Sequence, residues 1–177
     1  YKLSKNNPST LNLNDDVFFD QQKQLVISTD TYNEKVHYKN LSHPDLIIKK
    51  IIRSSISDLI CKGVKPKYIF ISASINKKLS KHKNFLLIIN ALKYELQKYK
   101  ILLCGGDTTF SKLTSFTITS VGFSKKIVKR NTVKLNDIIY VTGNLGDPYT
   151  GLLVINNKVN CKQSFKNYFK NKYYVPD

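Results

Sequence analysis

Negative charge is what this sequence has least of. Of its 177 residues only 12 are Asp or Glu, against 29 Lys and Arg, so the formal net charge is +17. Arginine is nearly missing as well: apart from Arg53 and Arg130, every basic residue is lysine. A surplus of this size raises the question of a nucleic-acid or anionic-membrane partner. Base edges are read best by the planar guanidinium fork, whereas lysine offers a point charge. The lysines are also spread along the chain rather than gathered in one stretch. The surplus therefore reads as compositional bias, and no nucleic-acid partner is expected. Cys61, Cys104 and Cys161 are odd in number and far apart. With no CxxC or Cys/His cluster, neither a disulfide framework nor a zinc site is indicated, and buried free thiols in a reducing cytosol are the expectation. No apolar run approaches the ~18 residues of a membrane span, and nothing reads as a charged-then-apolar leader. The expectation is a soluble, cytoplasmic protein without membrane contact.

What is present suffices for a core: 41% of residues are hydrophobic and 11% aromatic, in a chain long enough for one ordinary domain. Residues 1–14 are polar and without period, a flexible lead-in. Short apolar runs at 17–19 and 25–28, separated by a polar turn, predict paired strands. A polar loop follows over 32–42. Pro44 suits the first turn of a helix, and Leu46, Ile47, Ile51, Ile52, Ile56, Leu59 and Ile60 then keep helical spacing up to Gly63 as the C-terminal cap. A strand is predicted over 68–75. A second helix runs from Ser80 to about Tyr99, with Phe85, Ile88, Ile89, Leu92 and Leu96 inward. A short buried strand at 101–104 ends in Gly105-Gly106. Phe116, Ile118 and Val121 mark another strand, and 138–141 a further one ending in Thr142-Gly143. Helices near 147–155 and 163–171 close the chain. The order predicts an α/β (α+β) fold, a mixed sheet flanked by helices. The chain begins at Tyr1 and stops soon after a new polar segment starts, so it reads as a piece of something longer.

Against so few acids, their placement is informative. Five fall in four short motifs beside apolar strands or on a helix: Asn14-Asp15-Asp16, Ser28-Thr29-Asp30-Thr31, Ser57-Asp58-Leu59 and Gly106-Asp107-Thr108-Thr109. Ligands of open α/β sheets bind where strand ends converge, and carboxylates brought together there repel unless a cation lies between them. Hard oxygen donors suit Mg²⁺ bridging to phosphate. Each motif also has a plain reading. Asp16 can start a hairpin and Asp30 can end a strand in a turn. Asp58 stands within an apolar helical stripe, where a lone carboxylate is costly; a metal ion or a lysine would relieve it, the ion being preferred. Gly105-Gly106-Asp107 offers close backbone approach to a ligand, or simply a tight turn. No GxxxxGK[ST] is present, which excludes a P-loop. Gly143-Asn144-Leu145-Gly146-Asp147 reads equally as a phosphate rest at a helix start or as a turn capped by Asp147. His37 is a loop histidine that is either solvated or a donor to a substrate oxyanion or phosphate. Arg130 is a candidate phosphate fork or a surface residue.

Taken together and in order, these blocks resemble the thiamine-monophosphate kinase family of the aminoimidazole-ribonucleotide-synthetase-like superfamily. The resemblance rests on Asn14-Asp15-Asp16, Ser28-Thr29-Asp30-Thr31, Glu34-Lys35-Val36-His37-Tyr38, Ser57-Asp58-Leu59 with Lys62-Gly63-Val64-Lys65-Pro66, Gly105-Gly106-Asp107-Thr108-Thr109, Arg130, and Ile139-Tyr140-Val141-Thr142-Gly143 with Leu145-Gly146-Asp147 and Gly151-Leu152. It implies the N-terminal, nucleotide-binding half of such an enzyme over 15–156, with 157–177 beginning the connection to a second domain. It implies Mg²⁺ held by Asp16, Ser28, Thr29, Asp30, Asp58 and Asp107; ATP touched by Gly106, Asp107 and Arg130; and thiamine monophosphate met by His37. The implied reaction is direct transfer of the γ-phosphoryl of ATP to thiamine monophosphate, by a homodimer, with no catalytic nucleophile on the protein. The chain departs from the family pattern at Asn14, Lys35, Thr132 and Asn136, which stand where glycines are usual, and at Pro148 in place of Ser. It lacks the second domain, so little or no turnover is expected of residues 1–177 alone. The rivals are another enzyme of the superfamily, a basic nucleic-acid-binding module, and a purely structural homologue.

Overall fold

Alternating burial in residues 115–123 builds the strand around which the sheet is organised. The computed structural model describes Ser4 and residues 6–177. Its strands are β1 (Phe18–Asp20), β2 (Leu25–Asn33), β3 (Pro66–Ile75), β4 (Leu102–Phe110) and β5 (Ser115–Phe123), and its helices are α1 (Pro44–Cys61), α2 (His82–Tyr99), α3 (Asp147–Ile155) and α4 (Gln163–Tyr174). In β5, Phe116, Ile118, Ser120 and Gly122 are buried and their neighbours are less so, the period-two pattern of a strand covered on one face. β5 pairs antiparallel with β2 on one side and β3 on the other. β1 extends the sheet beyond β2, and β4 runs parallel to β3 at the opposite edge, giving the order β1-β2-β5-β3-β4. A parallel neighbour needs a crossover, and α2 supplies it.

α1 carries the main apolar stripe. Ile47, Ile51, Ile52, Ile56 and Leu59 are almost wholly buried, and each such side chain stabilises the fold by about 1.5–3 kcal/mol relative to exposure. They meet Ile69, Phe116 and Ile118 of the sheet in one cluster, while Leu59 joins Val17, Phe19, Val26 and Val64 in a second under β1. Pro44 opens the helix and Gly63, with φ of 73°, turns the chain out of it, as expected of a residue without a Cβ. Tyr173 and Tyr174 of α4 also enter the main core. The helices therefore cover one sheet face. Partners in register share a face, so Ser28, Ser120 and Ile69 form one row toward α1, while Thr29 with Thr119 and Thr31 with Thr117 form hydroxyl pairs of 2.9 Å on the open face.

The mixed sheet flanked by helices is the architecture expected of the sequence. Several local expectations are corrected. The strand at 25–28 continues to Asn33, because nine residue pairs with β5 hold the polar Thr29–Asn33 stretch extended; register overrides the weak strand preference of Asp and Asn. Gly105-Gly106 does not end a strand but lies inside β4. A Cβ on Gly106 would collide with the Ile71 carbonyl, so close strand approach is what requires glycine there. β4 is exposed along its length, not buried. Phe85 and Ile89 of α2 also remain 46% and 42% exposed. Residues 138–141 form no strand: Ile138, Ile139 and Tyr140 are 76–86% exposed. Among the described residues no strand lies beside them to take up their backbone groups, and propensity alone does not make a strand. The thiols of Cys61 and Cys104 are exposed, not buried, since one ends α1 and the other lies on the edge strand. Within the expected lead-in, Pro8–Leu13 forms a 3-10 segment capped by the Asn7 side chain; residues 1–3 and 5 lie outside the described residues. No helix among them is long and apolar enough to cross a membrane.

Candidate functional site

Three stretches far apart in sequence meet at one corner of the sheet: the Asp15-Asp16 pair before β1, Ser28 and Asp30 on the α1-facing side of β2, and the last turns of α1. The Ser28 hydroxyl donates to Asp58 Oδ2 at 2.7 Å, bridging strand and helix. Asp30 Oδ2 accepts from Ser55 Oγ at 3.3 Å and from the Tyr32 hydroxyl at 3.2 Å. Burial raises the Asp58 carboxyl above its ordinary range, and the nearby charges of Asp30 and Asp16 push the same way, opposed by Ser28 and Lys62. These carboxylates are thus close enough to feel one another. Ser120 stands in register with Ser28, and its hydroxyl is fully buried with no hydrogen-bond partner among the described residues.

Cationic side chains close the corner. The Lys62 ammonium, itself buried, forms an ion pair with Asp15 and stands 3.9 Å from Asp16. Arg130 Nη2 donates to both oxygens of Asp16, at 2.5 and 2.6 Å, and its backbone amide donates to Asp15 Oδ2 at 3.2 Å. Burial alone would raise the Asp15 carboxyl, but the Lys62 hydrogen bond and the amides of Arg130 and Asp16 hold it below its ordinary value. An acid with a lowered folded-state value contributes stability above its unfolded value and loses it as pH falls through the folded one. Lys62→Met is therefore expected to cost about 2 kcal/mol at pH 7, since Asp15 keeps its two amide donors. The loss should shrink at an acid pH below the lowered Asp15 value, where the carboxyl takes up its proton. Urea denaturation at both pH values measures it; an equal loss at both would dissociate Lys62 from Asp15.

The structure thus brings Asp16, Ser28, Asp30, Asp58 and Arg130 together. It does not bring Thr29, Gly106 or Asp107 to the same corner. The Thr29 hydroxyl is on the open face, paired with Thr119. Gly106 and Asp107 lie on β4, three strands from β2, roughly 14 Å at ordinary strand spacing. Register puts Asp107 in line with Ser72, Thr117 and Thr31 on the open face. His37 is exposed in the loop after β2, its Nδ1 accepting from the Asn33 amide at 2.9 Å. Of the residues in the corner, Ser55 and Tyr32 escaped sequence reasoning, as did the part played by Lys62. The last had a signal, four residues beyond Asp58 on one helical face. The other two looked like ordinary core positions.

A model of the AIR synthase related protein N-terminal domain matches residues 13–124. The chain belongs to that family. Curated members similar to it include a thiamine-monophosphate kinase of Buchnera aphidicola subsp. Schizaphis graminum, 36% identical over 86% of the chain and 47% of the relative. Another, from Leptospira interrogans, is 28% identical over 92% of the chain and 53% of the relative. The chain spans about half the length of the curated relatives it matches. Among solved structures, AaThiL complexed with AMPPCP and TMP superposes with a TM-score of 0.86 at 25% identity, covering 99% of this chain and 57% of that one. The mixed five-stranded sheet with its helices is the fold of this AIR synthase related domain. Its donor set, carboxylates and hydroxyls, fits Mg²⁺ in chemistry, although among the described residues no three acidic, His or Cys side chains converge on one point.

Proposed function

We propose that this chain is the nucleotide- and metal-holding half of an enzyme that phosphorylates thiamine monophosphate to thiamine diphosphate with ATP and Mg²⁺. The observation that carries the reading is the half-buried Asp58 of α1, bridged to Ser28 of β2 at 2.7 Å at the corner that also holds Asp30 and Asp16; burial first, and then those two charges, raise its carboxyl. Like charges held together on folding are a cost that a cation would remove. The names of the relatives and the AMPPCP and TMP of the AaThiL complex support the same reading. Asp16, Ser28, Asp30 and Asp58 would hold the metal. Mg²⁺, when bound, supplies charge neutralisation among phosphate oxygens. Arg130 is suited to a phosphate by its fork, and in taking one it would release Asp16. His37 would donate to the substrate. Thr29, Gly106 and Asp107 are kept as ligand-side residues to be tested separately, because they lie away from the corner. Residues 15–156 would form the binding domain and 157–177 the start of a connection to a second one, in a cytoplasmic homodimer.

Calorimetric titration of the chain with AMPPCP, with and without Mg²⁺, tests the reading. Binding should require the metal and weaken at least tenfold in Asp30→Asn, the loss of about 1.4 kcal/mol. Equal binding without Mg²⁺ refutes it. Asp107→Asn that binds as well as the parent removes Asp107 from the set. Turnover of ATP and thiamine monophosphate by residues 1–177 alone should be slight, and robust thiamine diphosphate formation would overturn the half-enzyme reading.

A further inference from the structure

The loop between β2 and α1 is tightly closed. The Lys35 amide donates to the Tyr38 carbonyl at 2.7 Å, the amides of Val36 and His37 donate to the Asn33 carbonyl, and the buried Tyr38 hydroxyl donates to the Thr114 carbonyl at 2.8 Å. Inside this frame the His37 ring is constrained twice. Its Nδ1 accepts from the Asn33 amide. A ring nitrogen that accepts carries no proton, so the neutral imidazole keeps its proton on Nε2. The ring also stands edge-on to Tyr32, with centroids 5.7 Å apart. The backbone carbonyl of the same residue receives two donors from other elements: Lys50 Nζ of α1 at 3.1 Å and the Tyr173 hydroxyl of α4 at 3.1 Å. The Lys50 ammonium lies 3.4 Å from the Tyr173 ring centroid. Both lone pairs of one carbonyl are thereby used, and three elements are joined at it.

We propose that Lys50 and Tyr173 are positioning residues for His37: by gripping its carbonyl they fix the peptide plane, keep Nδ1 on the Asn33 amide, and hold Nε2–H outward as a preset donor to an anionic oxygen. The inference rests on the reading of His37 as the group that meets the substrate. It also assigns a task to α4, which lies outside the residues matched by the family model. Among the described residues no carboxylate pairs with Lys50; it meets the His37 backbone carbonyl, and the titratable group facing it is the Tyr173 phenol. Burial pushes the Lys50 ammonium down to about 8 and the Tyr173 phenol up, with Tyr174 adding to the latter. Raising the pH through 8 thus discharges Lys50 while Tyr173 stays protonated, which weakens the hold on the carbonyl.

The chain has three histidines, so long-range ¹H–¹⁵N spectra of the imidazoles resolve His37, with His82 as internal control. The parent should show one Nε2–H tautomer at His37 and a change in its ring shifts with a midpoint near pH 8. Lys50→Arg should keep the tautomer and lose that midpoint. Lys50→Met and Tyr173→Phe should each lower the tautomer ratio at least fivefold while His82 is unmoved. An unchanged tautomer in both of these variants, or a mixture already in the parent, overturns the proposal. Thiamine monophosphate should then shift the His37 Nε2 signal. If the tautomer responds as expected but that shift is missing, the grip stands and the substrate reading of His37 falls.

Discussion

Arg53→Ala is expected to lower the stability of the chain by about 3–5 kcal/mol, the usual loss when one partner of a buried ion pair is removed. Arg53 Nε and Nη2 donate to the two oxygens of Glu95 at 2.9 and 3.1 Å, and the Glu95 side chain is wholly buried. The same guanidinium donates through Nη1 to the Pro176 carbonyl at 2.9 Å, so one side chain ties α1 to α2 and to the end of the chain. Alanine strands a carboxylate in the interior and frees that end. For a chain of this size the drop corresponds to roughly 6–20 °C in Tm. Glu95→Leu added to Arg53→Ala removes the stranded charge and should recover much of the loss. Denaturation of the parent, the single and the double variant checks both statements. A single variant within about 0.5 kcal/mol of the parent would show that the pair is of no consequence.

Asp58→Asn should act in opposite directions on stability and on ligand binding. The Asp58 carboxyl is raised by burial first, then by Asp30 and Asp16. A carboxylate raised in the folded state favours folding while protonated, below its unfolded value, and that favour is lost as pH rises through the folded value. At pH 7 the ionised group is therefore a net cost. Asparagine keeps an acceptor for Ser28 and removes the charge. After discounting for its partial exposure, the metal-free variant should be more stable by on the order of 0.5–1 kcal/mol at pH 7. Near pH 3, where the parent is itself protonated, the two should be equal. Saturating Mg²⁺ with AMPPCP should stabilise the parent by about 2.7 kcal/mol at a hundredfold excess over Kd and leave the variant almost unmoved. Thermal melts at both pH values, with and without ligand, decide the matter. A variant that is less stable without ligand, or that keeps the full ligand shift, sinks the view of Asp58 as a carboxylate awaiting a cation.

The two predictions differ in how far the residues involved could be read in advance. Asp58 stood out as an acid in the apolar spacing of α1, and the same spacing named Ile51, Ile52, Ile56 and Leu59 as core. Glu95 carried no such mark. Among the lysines of α2 it looks like a solvated residue, and only the approach of α1 made it the buried partner of Arg53. Asp30 and the hydroxyls around it were legible as a motif, but their setting inside a nine-residue strand was not. That extension comes from pairing with β5, some ninety residues away, and polar residues advertise no strand. Asp107 shows the opposite failure: a motif plain in sequence lies across the sheet from its expected companions, because strand order and alternation set where a side chain points.

The amino-acid order by itself determined the helices with an apolar stripe, the mixed α/β succession and the few acids available for chemistry, since these depend on spacing within a short window. The folded chain alone decided which polar groups meet: Lys62 on Asp15, Arg130 on Asp16, Lys50 and Tyr173 on the His37 carbonyl. Each of those meetings joins separate elements, and the distance between elements is set by packing, which no local pattern encodes.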